Sequence, residues 1–466
     1  MKHSVLFLIF IAVCATSCSV ESITECPSGE IETPSEQISL SQEISSNGFR
    51  VTPSMLNKYL NLFCKNKTPE SIDVIIDDGD TLAYYVQYGN NRGWDLIAAD
   101  TRIEPVLSAG SSSSMNALNE DAANVAMGSL KSVKDVKSSA NFKESPSWTF
   151  VRPSQIRTKQ NRSSFRGLAE GMWIPIDTVF AYDTIAPNRI IATKWGQGYP
   201  WDQYTPLDPD YYFTVHTFVG CVPVAVGQIL YRYLYLTNGI YDIPDVVTFD
   251  NTTGLPQFVS FTTDWSNMAK DSTNYTSAEK IKTAKFLSWL GYQMNTTYRS
   301  IPPGSSTVIS EAQSLMSNYL NFDSDTTYHS SVVMSNLMNN MPVYISANSN
   351  NGQRHSFIID GYKIIRYQVV IRYQFDPHHL VTEDDYYNFP SWMFEWPNMI
   401  EFPGYDPDKD PAIKPIATTL FENTFLLMNW GYNGNGDDVM YSSYSTSNWG
   451  YSQVKKMFYN FQRKNQ

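Results

Sequence analysis

Hydrophobic and polar positions change rhythm several times along the chain, and each change predicts an element. After Lys2 and His3 an apolar run extends from Val5 to Val13 and gives way to Ala15-Thr16-Ser17-Cys18. Residues 19 to about 45 are Ser- and Glu-rich without sustained periodicity and read as a flexible tether. Leu56, Tyr59, Leu60 and Phe63 then repeat at the i, i+3, i+4, i+7 spacing of a short amphipathic helix. Strands are predicted at Ser71–Ile76, Thr81–Tyr88 and Gly93–Asp100, separated by the turn residues Asp77-Asp78-Gly79-Asp80 and Gly89-Asn90-Asn91. Together these make a small α+β unit dominated by an antiparallel meander. From about 110 to 165 the composition shifts toward Ser, Ala, Asn and Lys, which predicts an exposed linker where nicking concentrates. A larger unit follows. It contains a mostly apolar helix beginning near Cys221, a hairpin of Pro342–Ser346 with His355–Tyr362, and a strand Leu426–Trp430 ending in a Gly/Asn turn.

Composition narrows the class. A chain of 466 residues has a prior of two to three domains, and 42% apolar with 14% aromatic residues is ample for a core. A net charge of −12 argues against a general nucleic-acid binder, which needs a basic footprint. Five cysteines are too few for a disulfide scaffold, and no spacing resembles a zinc site, so no metal or other cofactor is expected.

The basic start, short apolar core and small residues of 1–18 describe a secretory signal peptide. Cys18 after Ala-Thr-Ser resembles a bacterial lipobox, which would make it the lipidated first residue of the mature protein. A plain signal peptide cut nearby would instead leave a soluble exported protein. Export from a bacterial cell is expected either way, with anchoring at the outer membrane or cell surface in the first case. No later segment reaches the roughly 18 apolar residues of a membrane span. Cys26 and Cys64 can pair in an oxidising compartment, which leaves Cys221 as the odd thiol.

Gly220-Cys221-Val222-Pro223 reads as a turn entering a helix, with Pro223 in the first turn. A thiol there sits at the positive end of the helix dipole beside unpaired N–H groups, which favours the thiolate. A buried structural cysteine is the competing reading. A nucleophilic cysteine needs a base. Of six histidines, His3 leaves with the signal, His216 stands on the loop before the helix, and His329 and His378-His379 lie in polar or acidic stretches. His355 opens a buried strand, which would hold its ring against a rigid sheet edge. Either Asn429 hydrogen-bonds the ring nitrogen facing away from sulfur, with Trp430 shielding that bond from water, or Asn429 only begins a turn and Trp430 is core. Gln197, in the turn Trp195-Gly196-Gln197-Gly198, would join the Cys221 N–H as an oxyanion donor.

The order Gln…Cys…His…Asn, with Gln228-Ile229 after the cysteine and Gly361-Tyr362 after the histidine, resembles the motifs of streptopain-like bacterial cysteine peptidases. The resemblance spans roughly residues 185 to 450. Ala83–Val86 through Gly93–Asp100 and Pro105–Leu107 look like that family's inhibitory propeptide, and Phe286–Gly291 with Gly304-Ser305-Ser306 resembles a further block. The papain-type Cys-Gly-Ser-Cys-Trp signature is absent. Three departures stand out: Gln353-Arg354 ahead of His355, where a bulky Arg354 would narrow the cleft; Pro223 after the nucleophile; and a long insertion at about 366–415, which is either a lid or an inert elaboration.

By this resemblance the fold is α+β, a papain-like cysteine peptidase domain (helical part plus antiparallel sheet part) preceded by a small α+β prodomain. The expected layout is a signal at 1–18, tether and inhibitory prodomain at 19–150, a linker with the maturation site at 151–184, and the peptidase domain at 185–466. The implied activity is a cysteine endopeptidase made as a zymogen, with Cys221 as nucleophile, His355 as base, Gln197 in the oxyanion hole, and Asn429 and Trp430 supporting the histidine and lining the cleft. Its partners would be polypeptide substrates and its own prodomain, with a membrane reached only through a lipid on Cys18. An inactive peptidase-like lipoprotein that binds peptides, and a glycan-binding adhesin using the aromatic insertion, are the alternatives.

Overall fold

The computed structural model describes residues 19–22, 49–64, 67–111, 114–118, 120–138, 143–148, 170–212, 214–235, 246–250, 256–259, 267–300, 304–348, 354–380, 413–442 and 453–464. The signal-like segment, Cys18, Cys26 and most of the expected linker and insertion lie outside these residues.

Ser19–Ser22 (β1), within the expected tether, pairs antiparallel with Pro69–Asp77 (β2). Helix α1 (Pro53–Phe63) starts where Thr52 accepts a hydrogen bond from the Met55 N–H at 3.3 Å and Pro53 occupies the first turn. It buries Met55, Leu56, Tyr59 and Leu60 against Tyr84, Val86 and Ile97, a stripe close to the predicted one. The meander is β2, β3 (Asp80–Tyr88), β4 (Trp94–Ala98) and β5 (Val106–Gly110), paired antiparallel in sequence order.

The expected exposed linker contains a buried helix, α2 (Glu120–Lys137). Ala122, Val125, Ala126, Leu130, Val133 and Val136 fall at helical spacing and are all buried. Small residues make much of this stripe, so composition hid what periodicity carries. Residues 170–185 of the linker are likewise not loose: Glu170–Ile185 forms strand β6.

In the larger unit, α3 (Cys221–Tyr235) is apolar nearly all round, and Val222, Val224, Ala225, Val226, Ile229, Leu230, Tyr231 and Leu234 are buried. Such a helix is a core element. Strands β7 (Val246–Phe249) and β8 (Pro256–Val259) form a separate pair. Helix α4 (Ser277–Gln293) opens with a capping box between Thr276 and Glu279 and packs Phe286, Leu287 and Leu290 into the core around α3. Helix α5 (Ile309–Ser317), strand β9 (Leu320–Asp325), helix α6 (Ser330–Met338), β10 (Val343–Asn348), β11 (Arg354–Leu380), β12 (Ile413–Asn429), β13 (Met440–Ser442) and β14 (Gln453–Arg463) complete the elements.

Among the described residues one antiparallel sheet runs through both units in the order β1-β2-β3-β4-β5-β13-β12-β11-β10-β14-β9, with β6 on β11. The join is β5 on β13, where Met440 faces Ala109 and Tyr441 faces Ser108. The described flanks of the expected insertion continue β11 to Leu380 and begin β12 at Ile413, forming a ribbon with β6. Residues 381–412 lie outside the described residues. The combination of helices with an antiparallel sheet is the expected α+β class. No described helix is long and apolar enough to cross a membrane.

Alternation along the strands sorts the core into two faces. Tyr344, Ile358 and Phe458 pack with α3, α4 and α5. Val343, Ile345, Phe357, Ile359, Met428, Trp430 and Met457 pack on the other face, together with α2 and α6.

Candidate active site

Cys221 is the first residue of α3, as its Gly-Cys-Val-Pro setting predicts. Gly220 before it has φ +94°, a conformation L-residues rarely adopt, and its carbonyl accepts the Val224 N–H at 3.3 Å. The thiol is half-buried and interacts electrostatically with Tyr344, whose phenol burial holds well above its ordinary pKa.

Gln197 lies on the turn that precedes the helix. Its main-chain carbonyl accepts the Val219 N–H at 2.8 Å, which ties that turn to the residues leading into Cys221. Gly196 bridges to Tyr432, so the same turn also touches the segment after β12. Among the described residues the Gln197 side-chain amide has no hydrogen-bond partner, which leaves a donor open at a half-buried position.

His355 is the second residue of β11, opposite Ala347, and is buried. Arg354 beside it is exposed. The His355 ring stacks with Tyr432, with centroids 5.4 Å apart and planes 12° apart, and more loosely with Phe357 and Trp430 at 6.0 Å. Its Nε2 meets the main-chain carbonyl of Trp430 at 3.0 Å. The other histidines are engaged elsewhere where they are described: His216 Nδ1 meets the Thr205 carbonyl at 2.7 Å, and exposed His329 pairs with Asp325 at 3.0 Å.

Asn429 does not make the expected hydrogen bond to the imidazole. Its side-chain amide forms a reciprocal pair with Gln228 of α3, at 3.0 and 3.1 Å, and also donates to the Thr193 carbonyl at 2.8 Å. The reason is alternation. Met428 and Trp430 point to the face that carries His355, whereas Asn429, opposite Ile358, points to the α3 face. The atom that orients the imidazole is therefore the Trp430 carbonyl, a main-chain group with no side-chain signal in the sequence. The fully buried Trp430 ring lies over Phe357 at 4.6 Å and beside His355, but the Asn429–imidazole bond it was expected to shield is not formed.

Two further groups hold this corner. Gly431, at φ +73°, abuts Val224 in the first turn of α3; a Cβ there would lie 3.1 Å from Val224 Cγ1. Asp437 accepts the Trp430 N–H at 3.0 Å, and its own main-chain carbonyl accepts from Arg189 Nη1 at 2.5 Å. Arg189 also pairs with buried Asp360 of β11. Burial pushes the Asp437 carboxyl up to about 7; Asp360 adds to that, and Arg189 and Lys194 oppose it. Asp202, behind the Gln197 turn, is pushed up to about 6 by burial. Cys64, far along the sheet, is 3.9 Å from the Asp95 carboxylate, and burial pushes its thiol up to about 11. Of the two described cysteines, Cys221 alone stands at a helix start.

The site therefore gathers a helix-start thiol, a buried imidazole fixed by a carbonyl, and an open amide donor, on elements tied to one another. The model of the peptidase C10 family, the streptopain family, matches residues 195–375. The chain is similar to the peptidase C10 family. The matched stretch starts at Trp195 and takes in Gln197, Cys221 and His355, while Asn429 and Trp430 lie beyond it. Among solved structures, a fragment of Prevotella intermedia prointerpain A with one cysteine replaced by alanine is 16% identical, with a TM-score of 0.44, covering 81% of this chain and 94% of that one. Active interpain A from Prevotella intermedia is 18% identical, with a TM-score of 0.36, covering 59% of this chain and 98% of that one. No curated protein sequence matches the chain.

Proposed function

We propose that this protein is an exported cysteine endopeptidase made as a zymogen. The observation that carries the reading is a thiol opening the buried helix α3, whose first turn packs on Gly431, next to the Trp430 carbonyl that His355 Nε2 meets at 3.0 Å. The C10 resemblance over 195–375 supports it.

In the proposed reaction His355 takes the Cys221 proton, and the thiolate attacks a substrate peptide carbonyl. The Cys221 N–H and the Gln197 amide hold the oxyanion. His355 then protonates the leaving amine, and the C–N bond breaks to leave an acyl-enzyme. Water, losing its proton to His355, attacks the thioester; the acid product departs and the thiol is restored. The Trp430 carbonyl keeps the imidazole oriented throughout.

The N-terminal unit is proposed to act as the inhibitor. It shares a sheet and a core with the larger unit, and its helix α2 lies in the same apolar cluster as Trp430. Maturation would cut ahead of Glu170, because from there β6 is paired to β11. Export, and a lipid on Cys18, are proposed from residues 1–18 of the sequence alone.

The test is N-terminal sequencing of the matured protein beside its Cys221→Ala form, together with cleavage of a denatured protein. Cys221→Ala should remain full length after signal removal and lose activity by at least about 10³-fold. Self-maturation and retained cleavage in that variant would remove the nucleophile from Cys221.

A further inference from the structure

Gln228 lies about two turns along α3 from Cys221, on a helix otherwise apolar at its buried positions. Its side chain is buried and fully engaged. Oε1 accepts from Thr193 Oγ1 at 3.0 Å, Asn429 Nδ2 at 3.1 Å and the Trp195 N–H at 3.4 Å, while Nε2 donates to Asn429 Oδ1 at 3.0 Å. Asn429 Oδ1 in turn accepts the Gly431 N–H at 3.3 Å. That N–H and the Trp430 carbonyl belong to one peptide unit, and the carbonyl is the group that His355 Nε2 meets. A continuous chain therefore runs from the nucleophile's helix to the imidazole: Gln228 amide, Asn429 amide, the 430–431 peptide, His355. Hydrogen bonds in series polarise one another, and a peptide bonded at its N–H is a stronger acceptor at its carbonyl. The same clamp fixes the helix carrying Cys221 against the strand end that holds His355.

We infer that Gln228 is a positioning residue that sets both the placement and the acceptor strength of the Trp430 carbonyl behind His355. The inference rests on the reading of Cys221 and His355 as the reacting pair. A merely structural glutamine would change the amount of folded protein and leave the ionisation of the pair alone. A positioning glutamine supports the imidazolium and so widens the pH window in which thiolate and imidazolium coexist.

The experiment is the rate of iodoacetamide alkylation at Cys221 as a function of pH, read by mass spectrometry of the Cys221 peptide, in the purified wild-type protein, Gln228→Met and Gln228→Glu. Free N-acetylcysteine alkylated under the same conditions serves as the control, since an unperturbed thiol is mostly protonated below pH 7. The wild type should alkylate at Cys221 well below the pH at which N-acetylcysteine responds. In Gln228→Met the acid limb should move up by about half a pH unit or more. Its kcat should fall by up to about a hundredfold with little change in KM. Gln228→Glu retains donor and acceptor while its new carboxyl is protonated, so it should follow the wild type at acid pH and depart as that carboxyl ionises. Both variants folded, with limbs unmoved, would overturn the inference and leave the Cys–His reading standing. A wild-type Cys221 that reacts no faster than N-acetylcysteine would overturn both.

Discussion

On one face of strands β10 and β11, Tyr344 and Ile358 pack with α3, α4 and α5, and every member of that core comes from residue 191 onward. On the other face Val343, Ile345, Phe357 and Ile359 share a core with Leu130, Val133 and Val136 of the N-terminal unit. The helix of Cys221 belongs to the first face. His355, by alternation and by its contacts with Phe357 and Trp430, belongs to the second. The support of Cys221 is thus internal to the larger unit, whereas that of His355 is contiguous with the segment that the proposed maturation would remove. An inhibitor docked on the second face can act through the base without touching the helix that bears the thiol.

The largest break of this comparison should come from Trp430→Ala. That ring is fully buried in the shared core, and its removal should cost about 3–5 kcal/mol in urea unfolding of the intact protein. A loss under about 1 kcal/mol would mean that the second face is not held as described. A finer cut is Leu130→Ala in α2, expected to cost about 2–5 kcal/mol. Hydrogen exchange should quicken in β5, α2 and β13 and stay unchanged in α3; equal quickening on both faces would show one indivisible core.

The smallest effect concerns Asp437. Its carboxyl keeps a proton up to about 7 in the folded protein, against an ordinary 3.8. Between those values the native state binds more protons than the unfolded state, so this group lowers stability as pH rises. Asp437→Asn removes that loss and keeps an acceptor for the Trp430 N–H. The variant should therefore gain Tm relative to wild type between pH 4 and pH 7, with the difference level above pH 7. A relative gain that shrank as pH rose would contradict the assignment.

Much of this arrangement was legible in the sequence. The α1 stripe, the meander and the helix at Cys221 follow from periodicity, and the Gln197, Cys221, His355 order rests on local turn and strand signals. What escaped has physical causes. Helix α2 uses Ala122 and Ala126 in its buried stripe, so its Ser/Ala/Lys composition resembles a linker although its spacing is helical. Strand β6 owes its conformation to β11, a partner distant in sequence. Asn429 sits on the opposite side of its strand from the imidazole, a consequence of register with Ile358. The Trp430 carbonyl is main chain and leaves no residue-type signal. Gln228 could have been found as a lone buried amide in an apolar helix, which must have a partner.

At the heart of the proposed function, Cys221 is a nucleophile activated by His355. The most direct measurement is labelling by an electrophilic, peptide-like epoxide, mapped by mass spectrometry, of wild type and His355→Ala, both matured by a tagged wild-type enzyme that is then removed. One label, on Cys221, is expected in the wild type and none at the same dose in His355→Ala. Labelling of Cys221 that survived the loss of His355, or a matured wild type that took no label there, would contradict it.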